Sequence, residues 1–216
     1  MNHNEPLTCP VEQPHCPVID EVHQLRHENS ELKRALRTDL LTDLYNYRQL
    51  HEVLESELER TRRTRTPTAL IMLDLDHFKK VNDEWGHEIG NQALRLVSRV
   101  IRSAIRKMDV ACRYGGEEFA IILPGTHLVD AVKVAERIRC ELESFPLQTE
   151  EETIPVTASL GVELYRAEMQ ISVEEFIHLA DGYLYQAKQN GRNRVAHPEL
   201  PSSTEVTADE RAALFS

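Results

Sequence analysis

The sequence predicts a mixed α/β fold, an α+β arrangement in which helices flank one central sheet. Residues 69–73 (Ala-Leu-Ile-Met-Leu) are apolar without a break, which is typical of a strand covered on both faces. Two further apolar runs, Val110–Tyr114 and Phe119–Leu123, are separated by Gly115-Gly116, a pattern that predicts a β-hairpin. Helical patterns lie between these strands, and the hairpin excludes a strict alternation of strand and helix. The sheet is therefore predicted to be mixed.

The remaining elements follow from capping residues and from the period of the apolar positions. Asp39–Asn46 carries turn and capping residues, and a helix is predicted from there to about Arg65. The buried strand is predicted over Thr68–Asp74, and Gly86 and Gly90 then interrupt a helical pattern. The other predicted elements are a helix or turn over Lys79–Trp85, an amphipathic helix over Asn91–Arg106, a helix over Leu128–Ser144, a strand over Ile154–Tyr165 and a helix over Ser172–Gln189.

The composition is that of an ordinary soluble chain with an excess of acidic residues. The 216 residues include 25 basic and 36 acidic side chains, which gives a formal net charge of −11. This charge disfavours binding to the phosphates of nucleic acid. No apolar run approaches the roughly 18 residues that a membrane span needs, and the N-terminus lacks the pattern of a secretory signal. We therefore expect a cytoplasmic protein, and its four cysteines are too few for a disulfide scaffold.

Four segments are predicted along the chain. Residues 39–197 hold the globular domain, and residues 198–216 form a polar, acidic tail that is predicted to be disordered. Residues 1–17 contain four prolines and are predicted to be a flexible leader. Cys9 and Cys16 lie in this leader with histidines nearby. They are either free thiols or ligands of a metal ion, although their spacing matches no standard zinc finger.

Residues 18–38 are predicted to form a short coiled coil that joins two copies of the chain. Six positions recur at alternating steps of four and three, which is a heptad pattern. Asn29 would occupy an a position, where an asparagine pairs with its own copy and favours a parallel dimer. The alternative is one amphipathic helix that packs on its own domain. The six positions are Val18, Val22, Leu25, Asn29, Leu32 and Leu36.

Carboxylates follow both the buried strand and the glycine pair, and together they could bind a cation. Asp74 ends the apolar run, where a carboxylate is costly unless a cation or hydrogen bonds compensate it. Glu117 and Glu118 follow Gly115-Gly116, whose lack of side chains lets the backbone turn sharply near a ligand. Adjacent carboxylates repel each other, and Mg²⁺, which prefers oxygen ligands, relieves that repulsion. The alternatives are a solvated strand end and an ordinary polar turn.

Five short motifs stand in a fixed order within the predicted domain. They are Asp-Leu-Leu-Thr-Asp-Leu-Tyr-Asn at 39–46, Asp-Leu-Asp-His-Phe-Lys-Lys-Val-Asn-Asp at 74–83, Gly-His-Glu-Ile-Gly at 86–90, Arg-Tyr-Gly-Gly-Glu-Glu-Phe at 113–119 and Ala-Lys-Gln-Asn-Gly-Arg-Asn at 187–193. In this order the chain resembles the GGDEF-domain diguanylate cyclases, with residues 113–119 as the GGEEF form of the family signature. Several separated motifs in the right order are far more specific than one glycine turn.

The resemblance implies an enzyme that condenses two GTP into cyclic di-GMP and two pyrophosphates, with Mg²⁺ or Mn²⁺ as cofactor. It also implies a palm-like nucleotidyl cyclase fold, in which each domain holds one GTP and two domains face each other. By matching position, Asp74, Glu117 and the Leu75 carbonyl bind the metal, and Glu118 is the base for the 3′-hydroxyl or a further metal ligand. The other matched positions are Lys79, Lys188 and Arg192 for phosphates, Asn82 and Asn91 for guanine, and Gly115 and Gly116 for the substrate.

Three positions depart from the family pattern. Asp43 stands where the family usually has glycine and Tyr47 where it usually has arginine, and both are predicted to lie outside the reaction centre. Asn91 stands where the family usually has aspartate. Asparagine offers guanine one acceptor and one donor, whereas aspartate offers acceptors alone, so selection for guanine could be weaker here. We still expect GTP to be preferred, because Asn82 remains.

The run Arg106-Lys107-Met108-Asp109 stands where the family has its product-binding inhibitory site. The resemblance implies feedback inhibition by cyclic di-GMP, with Arg106 and Asp109 as ligands and Arg137 as a contact on a neighbouring helix. Without the resemblance, the same residues predict only a helix-to-strand corner with an ion pair.

An enzyme is the function that the sequence favours, because Asp74, Glu117, Glu118 and Lys79 are all present. Two alternatives stay open. One is a non-catalytic module that binds GTP or cyclic di-GMP, and the other is an adaptor that binds a regulatory protein through residues 18–38.

Overall fold

The computed structural model describes residues 21–26, 28, 37–148 and 152–200. Residues 21–26 and 28 are helical. The leader, most of the predicted coiled coil and most of the tail lie outside the described residues, so their organisation stays a prediction. In the part of the chain that the structure describes, no helix is long and apolar enough to cross a membrane.

A six-stranded mixed sheet forms the centre of the domain, as the sequence predicts. The strands are β1 (Tyr45–Asn46), β2 (Thr68–Leu75), β3 (Val110–Gly115), β4 (Glu118–Pro124), β5 (Leu147–Gln148), β6 (Thr153–Ile154), β7 (Ala158–Tyr165) and β8 (Val195–Ala196). The order across the sheet is β1-β3-β4-β2-β7-β8, and β5 pairs with β6 separately. β2 pairs antiparallel with β4 and β7, whereas the β1–β3 and β7–β8 pairs are parallel.

Helices cover both faces of this sheet. They are α1 (Tyr47–Thr64), α2 (Phe78–Ala104), α3 (Leu128–Ser144) and α4 (Val173–Gln189). Ile71 and Leu73 of β2 belong to the core that the sheet shares with α2 and α3. Leu70 and Met72 belong to the core that it shares with α1 and α4. The central strand is therefore buried on both sides, which explains its unbroken apolar run.

The close packing of α4 against β7 depends on Gly161. A Cβ atom at this position would lie 2.2 Å from the backbone nitrogen of Leu184 and 2.3 Å from the carbonyl oxygen of Ala180. At the start of α4, the Ser172 side chain accepts a hydrogen bond from the Glu175 amide, and the Glu175 side chain accepts one from Ser172 N. This capping box fixes where the helix begins, and Gly161 fixes how closely it approaches the sheet.

Most predicted elements are confirmed, but two details are wrong. Gly90 does not interrupt α2, which continues through it; only Gly86, with φ 82° and ψ 164°, breaks the helical backbone. The predicted strand over Ile154–Tyr165 is two strands, because β6 ends at Ile154 and β7 begins at Ala158. Pro155 lies between them, and proline has no amide hydrogen to donate to a sheet.

Candidate active site

Asp74 and Glu118 lie side by side near the end of β2 and the start of β4. In the antiparallel register Asp74 is directly opposite Glu118, so both side chains lie on the same face of the sheet. Met72 and Ala120, two residues away on each strand, belong to the core between the sheet and helices α1 and α4. Because side chains alternate between faces, Asp74 and Glu118 are on the α4 side as well.

Lys188 of α4 faces this carboxylate pair. Its Nζ lies 2.8 Å from Asp74 Oδ2, and the Asp74 side chain is only 11% exposed. Burial raises the pKa of Asp74; Lys188 opposes this shift, and the charges of Asp76 and Asp181 reinforce it. Burial also raises the pKa of Glu118, and the charge of Asp74 adds to that shift. Negative charge is in excess here, and a bound cation would stabilise it.

Asp181 is a residue of this site that sequence reasoning missed. It lies on α4 seven residues, or about two helical turns, before Lys188, so the two residues share a helix face. The pKa values of Asp74, Glu118 and Tyr114 are raised chiefly by burial and further by the charge of Asp181. The available signal was the spacing of seven from a lysine already matched to a phosphate contact.

A cavity of about 250 Å³ opens beside Glu118 on this face of the sheet. Tyr47 lines it, with its ring in an edge contact with Tyr114 at a centroid distance of 5.1 Å. The sequence predicts that position 47 lies outside the reaction centre, whereas in the structure Tyr47 and Glu118 line one cavity. The lining residues are Tyr47, His51, Met72, Tyr114, Glu118, Glu174, Ile177, His178 and Asp181.

The glycine turn between β3 and β4 is held by Arg113. Its Nε and Nη2 donate hydrogen bonds of 3.0 and 2.7 Å to the Gly116 carbonyl. Its Nη1 lies 3.2 and 3.1 Å from the two carboxylate oxygens of Asp39. Asp39 also accepts hydrogen bonds from the amide and hydroxyl of Thr42. One guanidinium group thus joins the opening motif of the domain to the turn that precedes Glu117.

The predicted metal ligands lie at this turn and at the adjacent strand end. The Leu75 amide donates a 3.3 Å hydrogen bond to the Glu117 carbonyl, which holds the turn against the end of β2. Asp74, Glu117 and the Leu75 carbonyl offer only oxygen atoms, a donor set that suits Mg²⁺. Among the described residues, no three His, Cys, Asp or Glu side chains converge as a ready metal centre. Instead, Lys188 supplies the positive charge next to Asp74.

The predicted phosphate contact Lys79 and the predicted guanine contacts Asn82 and Asn91 all lie on α2. Lys79 is exposed, and Asn82 and Asn91 are half-buried. A Cβ atom at Gly90 would lie 1.9 Å from Asn82 Oδ1, so the absence of a side chain at position 90 makes room for the Asn82 amide. Gly90 therefore has a packing role toward Asn82 that its place in a sequence motif does not reveal.

The predicted inhibitory residues meet at the corner between α2 and β3. Asp109 Oδ2 accepts a 2.7 Å hydrogen bond from the Arg106 amide, and the Asp109 amide donates to the Arg106 carbonyl. Asp109 Oδ1 is buried and has no hydrogen-bond partner among the described residues. Burial raises the pKa of Asp109, while Arg106 and Arg137 oppose that shift. Arg137 Nη2 donates to the Ala104 carbonyl at the end of α2.

The mixed sheet, with paired carboxylates at adjoining strand ends and a glycine turn beside them, defines a palm-like α/β domain. The family model described as "Diguanylate cyclase, GGDEF domain" matches residues 36–194. The chain therefore belongs to the GGDEF-domain family.

Comparison with individual proteins agrees with this assignment. The response regulator PleD of Caulobacter vibrioides is 41% identical over 160 residues, which are 73% of this chain and 35% of PleD. This chain thus spans about a third of the length of that curated relative. The structure of the coiled coil and GGDEF domain of DgcB from Caulobacter crescentus, in complex with c-di-GMP, superposes with a TM-score of 0.78 at 33% identity. That match covers 82% of this chain and 94% of the DgcB chain in that structure.

A third related protein has been solved with a protein partner. Diguanylate cyclase SiaD from Pseudomonas aeruginosa, in complex with its activator SiaC, superposes with a TM-score of 0.73 at 39% identity. This match covers 83% of this chain and 69% of the SiaD chain.

Proposed function

We propose that this protein is a diguanylate cyclase that condenses two GTP into cyclic di-GMP and two pyrophosphates. The observation that carries the proposal is the close pairing of Asp74 and Glu118 beside Lys188, within a domain of this family. In this proposal Asp74 belongs to a cation site, Glu118 is a proton acceptor and Lys188 is a phosphate contact, and one reaction uses all three.

The reaction requires two chains because each domain holds one GTP. The 3′-oxygen of one GTP forms a bond to the α-phosphorus of the other, and the bond between the α-phosphorus and the bridging oxygen to the β-phosphate breaks. Pyrophosphate leaves with the bond electrons. The same exchange at the second 3′-hydroxyl closes the ring and releases the second pyrophosphate.

The residues of the site divide this work. Glu118, whose pKa is raised by burial, would take the proton of the 3′-hydroxyl. Lys188, with Lys79 and Arg192, would bind the phosphates. Asp74, Glu117 and the Leu75 carbonyl would hold Mg²⁺ or Mn²⁺, which would supply charge stabilisation at the reacting phosphate, and Glu118 would be a further ligand if it is not the base.

Two parts of the sequence would shape the substrate site further. Asn82 and Asn91 would contact the guanine edge, and the Gly115-Gly116 backbone would approach the nucleotide. Since Asn91 offers both a donor and an acceptor, some use of ATP beside GTP is an outcome to be measured, with GTP expected to be preferred.

Product inhibition and dimerisation complete the proposal. The meeting of Arg106, Asp109 and Arg137 at one corner supports a cyclic di-GMP site there, and DgcB has been solved with this ligand. Residues 18–38 would join two chains as a parallel coiled coil, and specific activity should fall on dilution. Because SiaD forms a complex with an activator protein, a regulatory protein at this segment is part of the proposal.

One assay separates the proposed enzyme from a binding module. The purified chain is incubated with GTP and Mg²⁺, and cyclic di-GMP and pyrophosphate are quantified by mass spectrometry and a coupled assay. We expect both products in a ratio of one to two. GTP binding without product, in a chain confirmed to be dimeric, would instead identify a nucleotide-binding module.

A further inference from the structure

Asp76 has a set of contacts that the proposed reaction does not use. The residue is 9% exposed and lies just beyond the end of β2, two positions after Asp74. Its Oδ1 accepts a 2.7 Å hydrogen bond from the Ser159 hydroxyl. Its Oδ2 accepts hydrogen bonds from the Thr157 hydroxyl at 2.9 Å and from the backbone amide of Asn193 at 3.0 Å. The first two partners are near the start of β7, and the third follows α4.

The Asn193 amide belongs to a turn with an unusual backbone. Gly191, Arg192 and Asn193 have consecutive positive φ angles of 109°, 61° and 44°. A left-handed backbone is accessible to glycine but disfavoured for an arginine, so the surrounding contacts must hold this turn. Arg192 is the residue of the turn that is matched to a phosphate contact.

Further hydrogen bonds anchor the same turn to α3 and α4. The Arg192 amide donates to the Ala187 carbonyl at 3.1 Å. The Asn193 side chain donates to Glu143 Oε1 at 2.8 Å and accepts from Arg139 Nη1 at 3.3 Å. These anchors connect the turn to helices, whereas Asp76 connects it to the strand that carries Asp74.

We propose that Asp76 is a positioning residue for GTP binding, because its carboxylate fastens the 191–193 turn to the end of β2 and so holds Arg192 beside the phosphate site. The proposal rests on the proposed function for the identity of the ligand, and extends it to a residue outside the proposed substrate and metal contacts. Asp76 thereby sets the distance between the phosphate-binding turn and the strand end that carries the metal ligands.

The test compares two ways of breaking this network. Asp76→Ala removes the bond to the turn, and a misplaced Arg192 should lower the affinity for GTP about tenfold or more. Asp76→Asn keeps one oxygen for Thr157 and Asn193, and its amide group can donate to the Ser159 hydroxyl, so it should restore affinity to within about threefold of the original. The double variant Thr157→Val/Ser159→Ala removes the other two bonds and leaves the bond to the turn.

GTP affinity is measured by calorimetry on the full chain, and thermal unfolding is measured in parallel. We expect Asp76→Ala to weaken GTP binding and the Thr157/Ser159 double variant to retain it, even where the two lose similar thermal stability. Equal affinity losses in both would show a merely structural role and overturn the proposal. The KM for GTP should rise in Asp76→Ala with a smaller change in kcat.

A double-mutant cycle with Arg192 gives the decisive measurement. If Asp76 acts through Arg192, Asp76→Ala should add little to the loss of affinity already caused by Arg192→Ala. Additive losses would overturn the proposal. Because these readouts are binding measurements, they remain valid in a chain that binds GTP without turnover, so the failure of the proposed cyclase activity is distinguished from the failure of this inference.

Discussion

The domain has two acidic corners, one at Asp74 and one at Asp109, and they differ in how their carboxylates are compensated. Burial raises the pKa of both. Asp74 forms an ion pair with Lys188 at 2.8 Å, but the negative charges of Asp76 and Asp181 also raise its pKa. Asp109 instead accepts a hydrogen bond from a backbone amide within its own turn. The Asp74 corner has an excess of negative charge that a bound cation would stabilise. The Asp109 corner is a hydrogen-bonded turn in which one carboxylate oxygen has no partner among the described residues.

This contrast predicts which changes affect catalysis and which leave the catalytic rate intact. At the Asp74 corner the charged side chains that affect the stability of the fold are also those proposed to act in the reaction. The residues of the Asp109 corner are separated from Asp74 and Glu118 by the length of β3. The α2–β3 corner lies at one end of this strand and the hairpin turn at the other. The following predictions test that separation, from the largest expected effect to the smallest.

Replacing Glu118 should have the largest effect. Glu118→Gln removes the proposed proton acceptor while keeping the side-chain size, so condensation should fall by a factor of about 100 or more. The folded state should be retained, because the change also removes repulsion with Asp74. Product formation and circular dichroism check the two statements. Glu55→Gln, on the exposed side of α1, is the matched control, and unchanged turnover in Glu118→Gln would exclude a catalytic role for Glu118.

Lys188→Met should lower both GTP binding and stability. It leaves the Asp74 carboxylate buried without its ion-pair partner, and the half-exposed setting of the lysine suggests a loss of about 1–2 kcal/mol in the free energy of unfolding. The loss should be larger at pH 8 than at an acidic pH below the raised pKa of Asp74, because protonation of Asp74 removes the uncompensated charge. Urea unfolding at both pH values measures it. Lys133→Met, at an exposed position of α3, provides the control, and a loss independent of pH would contradict the stated cause.

Arg106→Ala should change the response to product and leave basal turnover intact. The variant keeps the backbone amide that bonds Asp109, so the turn is preserved. The concentration of cyclic di-GMP for half-inhibition should rise about tenfold or more, since charge-assisted contacts are lost. The uninhibited rate should stay within about twofold. Lys107→Ala at the neighbouring exposed position should show normal inhibition, and equal product affinity in Arg106→Ala would place the inhibitory site elsewhere.

Asp109→Asn should have the smallest effect, visible as a change in the pH dependence of stability. Because burial raises the folded-state pKa of Asp109 above its ordinary value of 3.8, the stability from this group is fully present below pH 3.8. It is lost as the pH rises through the folded-state pKa. The asparagine still accepts from the Arg106 amide but does not titrate. Thermal unfolding from acidic to neutral pH should therefore favour Asp109→Asn increasingly, and parallel curves for the two proteins would contradict this account.

Local patterns predicted the helices and the central strand well. The bounds predicted for α3 are those observed, and β2 and the β3–β4 hairpin lie where their apolar runs indicate. The two-residue strands β1 and β8 are too short to show a period, and they form because the longer strands β3 and β7 pair with them. The pattern predicts Gly90 as a helix breaker, but the absence of a side chain there serves the packing of Asn82, a tertiary requirement that the sequence does not show.

The residues of the candidate site also fall into those that local sequence patterns predict and those that depend on tertiary contacts. Asp74 and Glu118 stand out in the sequence because each ends or begins an apolar run. Asp76 and Asp181 do not, because their roles depend on partners far along the chain: Asp76 bonds the Asn193 amide 117 residues away, and Asp181 acts on Asp74 across the sheet–helix interface. Only the folded arrangement brings such pairs together.

The contact of α4 with Gly161 has a consequence for how this site can vary. Any other residue at position 161 carries a Cβ atom, which would overlap backbone atoms of α4 rather than a flexible side chain. The helix would have to shift as a rigid body, and Lys188 and Asp181 would shift with it. A position that touches no proposed ligand thus controls the width of the gap between α4 and the carboxylates, so the tolerance of the site to mutation is set partly inside the sheet.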